Sequence, residues 1–470
     1  MHAVEASRRE SHTTSRSGLI ALTLATLIAV ATLGLGSPRF VVLRPHLGAL
    51  AIARAGESIA IEVTTSIPFW RPEWRVWVDG PRGRRELAIE QVEMNLRGAR
   101  QRLLVALPDD LGVGGLDLTV EAGALRRYRP QALHVVTGYP QRVRFVQLAD
   151  LPVLGDQGSG EAAMGSLIDE INLIAPDFVL FTGDVIYGDP EDGRYQVLVD
   201  LLHRLEPPAI VAPGNHEYKG WSRYLQHFVE PWHVVDFGHL RLISLNSGHG
   251  RDQLTLTQER WLVETLADSG DRTPIVQVHH PPFGPRGVAR LPLAALRDTG
   301  CPLVLSGHLH HDALFDIDGR QRSDSWQFPG PRFAVTTAAG QNDLRPGSPG
   351  STETYAGYRL IRMDGGEVVS MTYDRNGDGE RDAISSYPSG LIRVTRPAPG
   401  SALVENGFNE ALDRARVRIE APASGPRLRA DRGRIVDILP SSAGEQQYVV
   451  EIDLPAESRT VITLIEESPE

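Results

Sequence analysis

Short apolar runs that break into polar clusters constrain this chain more than any other feature. Phe178-Val179-Leu180-Phe181 gives way to Thr182-Gly183-Asp184. Such a run reads as a buried strand, and its ending delivers Asp184 to the carboxyl edge of a sheet, where open α/β sheets hold their ligands. One Gly-Asp pair is an ordinary turn. Here the pattern recurs: residues 143–148 run into Asp150, 209–212 into Asn215 and His216, 274–278 into His279, and 302–305 into His308 and His310. Between them, Met164, Leu167, Ile168, Ile171 and Ile174 follow helical spacing, and residues 195–205 and 257–266 carry two further helical patterns. Strands alternating with helices predict an α/β domain, and further strands near 240–245, 333–337, 357–363 and 368–373 complete it.

The chain is longer than one ordinary domain, at 470 residues. Residues 58–63, 74–78 and 116–120 alternate between apolar and polar, with turn residues at Asp79-Gly80-Pro81 and 112–115. That pattern predicts an N-terminal β-sandwich of the immunoglobulin or fibronectin kind. Residues 391–395, 415–419 and 448–454 predict a second all-β module. The expected organisation is therefore a signal peptide or membrane anchor over 1–38 and a β-sandwich over 39–139. A catalytic α/β domain over 140–375, a linker over 376–390 and a C-terminal β domain over 391–470 follow.

Residues 17–38 carry no charge, are mostly apolar from Gly18 to Gly36, and follow Arg8, Arg9 and Arg16. That predicts an exported protein, membrane-anchored, periplasmic or secreted. A net charge of −11 argues against general nucleic-acid binding, which needs a basic surface. Cys301 is the only cysteine, so no intramolecular disulfide and no cysteine metal cluster can form. Asp374, Asn376, Asp378 and Asp382 place oxygen-bearing residues around glycines, like the first half of a calcium loop. Ser385 stands where that loop's bidentate Glu belongs, and a Gly-rich linker is the alternative.

The strand ends carry one carboxylate that can bridge, Asp184, with mixed oxygen and imidazole donors around it. A two-metal hydrolase needs such a set, with ions roughly 3.5–4 Å apart polarising a phosphate and ionising a water. The motifs resemble those of the metallophosphoesterases, and most closely the purple acid phosphatases. Gly183, Asp184 and Tyr187 match Gly-Asp-x-x-Tyr, and Gly214-Asn215-His216-Glu217 matches the third block. Val276 and His279 match Val-x-x-His, and Gly307, His308 and His310 match Gly-His-x-His. In the first block Asp150 stands, while Ala149 and Pro152 replace glycines. Pro152 also occupies the place where the wider superfamily often has a histidine ligand.

The resemblance implies a four-layer α/β/β/α sandwich between the flanking β modules. It implies that Asp150, Asp184, Tyr187 and His310 hold a ferric ion. Asp184, Asn215, His279 and His308 would hold a divalent iron, zinc or manganese. A metal-bound hydroxide would attack a phosphate monoester, with His216 as the acid or phosphate contact and Glu217 orienting His216. His280 and His311 neighbour the ligands, and Arg286, Arg290 and Tyr218 are candidates for substrate contact. Two alternatives remain open. One is a phosphodiesterase acting on nucleotides or phospholipids with the same metals. The other is a cell-surface binding protein with a degenerate site. The sequence leaves the oligomeric state open.

Overall fold

The computed structural model describes residues 38–151, 159–186, 192–248, 253–284, 290–340, 355–374, 385–424, 427–441 and 444–467. The N-terminal apolar run, Tyr187, Arg286 and the candidate calcium residues Asn376, Asp378 and Asp382 lie outside them.

Two sheets face each other in the middle of the chain. The first runs Ala209–Ala212, Phe178–Thr182, Arg142–Leu148, Gly357–Asp364 and Glu367–Ser370, with its first three strands parallel. The second runs His233–Phe237, Leu240–Ser244, Thr273–Gln277, Leu303–Ser306, Arg332–Val335 and Ala313–Phe315, parallel across the four strands from Leu240–Ser244 to Arg332–Val335. These parallel strands read as unbroken apolar runs because both of their faces are covered.

The two-residue side-chain period sorts each strand between two cores. Phe145, Phe178 and Leu180 join Leu242, Ile275, Leu303 and Leu305 in one cluster between the sheets. Val146, Val179 and Phe181 face the other way, against Met164, Leu167, Ile168, Leu198 and Leu202 of the helices Ser159–Ile174 and Asp192–His203. Ile243, Val276 and Val304 face Leu262, Leu266 and Leu296 of the helices Leu256–Ala267 and Leu293–Asp298. Thr255 caps the first of these, its side chain accepting from the Gln258 N–H.

Two glutamines cross the apolar layer and fix one sheet against the other. Gln147 Nε2 donates to the Ser306 carbonyl (2.9 Å), and the Thr336 hydroxyl donates to Gln147 Oε1 (2.6 Å). Gln277 Nε2 donates across to the Ile210 carbonyl (3.4 Å) and, within its own sheet, to Ser244 Oγ (2.8 Å). The strand expected over 333–337 runs Arg332–Val335, and the Thr336 N–H still donates to the Ser306 carbonyl (3.0 Å).

The eight N-terminal strands form one hydrogen-bonded path instead of two separate sheets. The long strand Gly83–Met94 explains this. It pairs with Trp74–Gly80 at one end and with Arg100–Ala106 at the other, across a register shift between Ile89 and Gln91. Val63, Val76, Val105, Leu118 and Val135 fill the enclosed core.

The C-terminal residues form a four-stranded and a three-stranded sheet. Their apolar faces, with Val404, Val417, Ile419 and Val450, continue the cluster under helix Ser159–Ile174. Glu170 of that helix fastens the junction. It accepts from the Tyr358 hydroxyl (3.0 Å) and from the N–H groups of Gly390 (2.7 Å) and Ile392 (3.3 Å).

Burial pushes Glu170 up from 4.5 to about 7, against the hydrogen bonds that favour its charge. The folded chain therefore holds this proton more tightly than the unfolded one. Its contribution is fullest below pH 4.5 and is lost as pH rises through about 7. Glu170→Gln should flatten the fall of the melting temperature with rising pH, removing a dependence worth about 3 kcal/mol. Melting curves of both proteins across that window check this, and parallel curves contradict it.

Candidate metal centre

Five of the parallel strands, Arg142–Leu148, Phe178–Thr182, Ala209–Ala212, Thr273–Gln277 and Leu303–Ser306, end just short of the residue they deliver, and both sheets deliver to the same edge. Asp150, Asp184, His308 and His310 all take left-handed backbone, with φ of 52°, 50°, 70° and 58°. Left-handed non-glycine residues are uncommon and gather at functional sites. The turns that re-aim these side chains need bare backbone beside them. A Cβ on Gly183 would sit 2.6 Å from His279 Nδ1, and one on Gly214 would overlap the Asp184 carboxylate.

The donor atoms converge. His279 Nε2 lies 3.2 Å from Asp184 Oδ2 and 3.1 Å from Asn215 Oδ1. His310 Nε2 lies 3.1 Å from Asp150 Oδ1. The His308 N–H donates to Asp150 Oδ2 (2.8 Å), and the His216 N–H donates to Asp184 Oδ1 (2.9 Å). Two ligand-capable groups overlap at His279: Asp150, Asp184 and His279, and His279, His280 and His308, each with donor atoms within 4.8 Å. Six of the seven ligands expected from the sequence thus gather at one edge; the seventh, Tyr187, lies outside the described residues.

The electrostatics ask for positive charge. Asp150 and Asp184 are 0% and 1% exposed. Burial works against charging His279, yet Asp184 and Asp150 overcome it and raise the imidazole to about 10. Asp184 moves the other way: burial raises it, and the His279 charge brings it below the usual carboxylate range. His279 is also set up as a ligand. Its Nδ1 points at the Thr182 carbonyl (2.9 Å), an acceptor only, so Nδ1 carries a proton and Nε2 is the nitrogen that would exchange its proton for a metal ion. The residues present fit a pair of cations of mixed oxygen and nitrogen preference.

Glu217 has a different task from the one expected of it. Its buried carboxylate accepts from the backbone N–H groups of Asp184 (3.1 Å), Ile186 (3.0 Å) and Gly214 (2.5 Å). It ties the Asp184 loop to the Asn215 loop. Burial first, and Asp184 second, push it up to about 7.

His280 is buried, with Nδ1 2.9 Å from Ser247 Oγ and its ring 4.3 Å from His308. The Tyr218 hydroxyl donates to Asn246 Oδ1 (2.7 Å), while Arg290 is exposed and the His311 ring binds the Leu309 carbonyl (2.8 Å). Ser247 and Asn246 carried no signal in the sequence beyond following strand Leu240–Ser244.

Residues 143–312 match the family model of the calcineurin-like phosphoesterases. That span holds every converging residue. The chain carries a calcineurin-like phosphoesterase domain. Over 129 residues it is 35% identical to the glycerophosphodiester phosphodiesterase GpdQ of Enterobacter lignolyticus (strain SCF1), covering 25% of this chain and 45% of that protein. Over 212 residues it is 26% identical to the 3',5'-cyclic adenosine monophosphate phosphodiesterase CpdA of Escherichia coli (strain K12), covering 38% of this chain and 74% of that one. The chain thus spans less than half the length of the first of these relatives.

Gly214→Ala tests the packing argument. The added methyl should displace Asp184 and weaken metal affinity about 10–100-fold with the fold retained. Chelator-competition titration with circular dichroism checks this; unchanged affinity contradicts it.

Proposed function

We propose that this protein is an exported phosphodiesterase that works at a two-ion centre. The observation that carries this is the pair of donor groups that share His279, one of them holding the buried carboxylates Asp150 and Asp184. The phosphodiesterase names of both relatives favour diesters over the monoesters to which the purple acid phosphatase motifs point. The domain would be a four-layer α/β/β/α sandwich over residues 140–375. Residues 39–139 would form the preceding β-sandwich and 391–470 the C-terminal β module. Residues 1–38 would direct export or anchor the chain in a membrane.

In this reading Asp150, Asp184, Tyr187 and His310 would hold one ion, and Asp184, Asn215, His279 and His308 the other. Iron is expected at the first site, and iron, zinc or manganese at the second. The ions would supply Lewis acidity for the phosphate and for a water. Glu217 keeps both ligand loops in register through their N–H groups. His216 is partly exposed at the rim, with Nε2 3.8 Å from Asp184 Oδ2, and delivers a proton to the leaving oxygen.

Two measurements test this. A chromogenic diester and its monoester share one leaving group, and kcat/KM should be at least about tenfold higher for the diester. A monoester preference would return the assignment to a phosphatase, and no turnover of either with metal bound would leave a binding protein. His216→Ala should slow poor leaving groups by about 10²–10⁴-fold and good ones much less. Equal losses on both would make His216 a phosphate contact.

A further inference from the structure

The end of the N-terminal β module farthest from the metal centre carries an apolar and cationic tip. Two turns build it. In the first, residues 66–72, Phe69 is 63% exposed; in the second, residues 95–99, Leu96 is fully exposed. The Phe69 ring is held there by the backbone. Its φ is 59°, its N–H donates to the Gly98 carbonyl (2.8 Å), and its ring packs where a Gly98 side chain would stand. Trp70 sits behind it, half-buried, its carbonyl taken by Gln101 Nε2 (2.6 Å). Arg71 and Arg97 lie in the same two turns and Arg39 pairs through its backbone with Ser66 of the first; all three are exposed and without an ion pair among the described residues. Residues 38–40, 66–72 and 95–99 contain no Asp or Glu.

The tip is also where the chain enters the fold. Arg39 N–H donates to Ser66 Oγ (2.9 Å), and the Ser66 N–H donates to the Arg39 carbonyl (2.9 Å). Gly36, the last residue of the uncharged apolar run, is three residues before Arg39. Three residues reach at most about 11 Å. Strand Phe40–Arg44 then leads away from the tip, since Phe40 pairs with Thr65 and Thr64 with Arg100. Beyond its far end, Gly48 pairs with Ile210 of the central sheet. The tip and the phosphoesterase domain therefore lie at opposite ends of the β module.

We propose that this tip docks on an anionic lipid surface, with Phe69 and Leu96 entering the headgroup layer and Arg39, Arg71 and Arg97 on lipid phosphates. Aromatic and aliphatic groups accompanied by arginine suit that layer. Each arginine adds about fivefold to partitioning at such a surface. The geometry then holds the metal centre away from the bilayer by the length of the β module. The proposal rests on residues 18–36 serving as a membrane anchor.

The test uses the full chain reconstituted into phosphatidylglycerol vesicles. An environment-sensitive fluorophore goes on Leu96→Cys, or on Leu256→Cys of the phosphoesterase domain as the control. Leu256 is 68% exposed. Cys301 is buried, its thiol pushed up to about 12 by burial, and does not compete for label. With nitroxide on the lipid headgroups, the Leu96 label should be quenched at least twofold more than the Leu256 label. Serine at Arg39, Arg71 and Arg97 together should remove most of that difference. Protein that floats with the vesicles but shows equal quenching at both positions overturns the docking surface and leaves the anchor standing. A difference that survives the serine substitutions overturns the lipid-phosphate contacts. Protein that does not float overturns anchor and surface together.

Discussion

Asp150 and Asp184 are removed from water almost completely, and the middle of the molecule is arranged around that fact. Taking a carboxylate out of water costs several kcal/mol unless opposite charge and hydrogen bonds replace the solvent. Backbone N–H groups of His308 and His216 supply part of the replacement, and His279 and His310 supply imidazole nitrogens. The rise of His279 to about 10 shows how strongly the pair draws positive charge. Cations held by these residues would answer the same demand more fully.

Holding such groups together requires two sheets in fixed register, because their ligands come from both. Gln147, through the Ser306 carbonyl, and Gln277, through the Ile210 carbonyl, provide that register inside an otherwise apolar layer. A second buried network secures the loop after His310. Asp312 accepts from Arg359 Nη2 (3.1 Å) and from the Ser386 N–H (2.8 Å), so the second sheet's ligand loop is tied to the first sheet's Gly357–Asp364 strand. Removing one partner of a buried pair leaves an uncompensated charge, which typically costs about 3–5 kcal/mol.

The strand ends were legible because each ligand sits within five residues of an apolar run, a purely local pattern. Asp150, Asp184, Asn215, His279, His308 and His310 could be placed on that basis alone. The task of Glu217 was not legible. Two of its three partners are more than thirty residues away, and its own motif pointed at His216. The glutamine rungs and the Asp312–Arg359 pair were invisible for the same reason: a buried polar residue in a strand shows its purpose only beside its partner. Helix Trp221–Phe228 escaped as well, since its burial rests on Tyr224 and Phe228 while its other positions are polar or partly exposed. The N-terminal strands were readable as β, but the strand shared between its two halves was not, because a register shift leaves no compositional mark.

The central claim is that Asp184 joins two ions into one centre. Electron paramagnetic resonance of the manganese(II)-loaded protein tests it most directly. Two ions bridged by one carboxylate are magnetically coupled, so full loading should give an exchange-coupled spectrum at two ions per chain. Asp184→Asn should convert it to the signal of isolated manganese. A fully loaded wild-type protein showing only isolated manganese would contradict the bridge, and with it the two-ion centre.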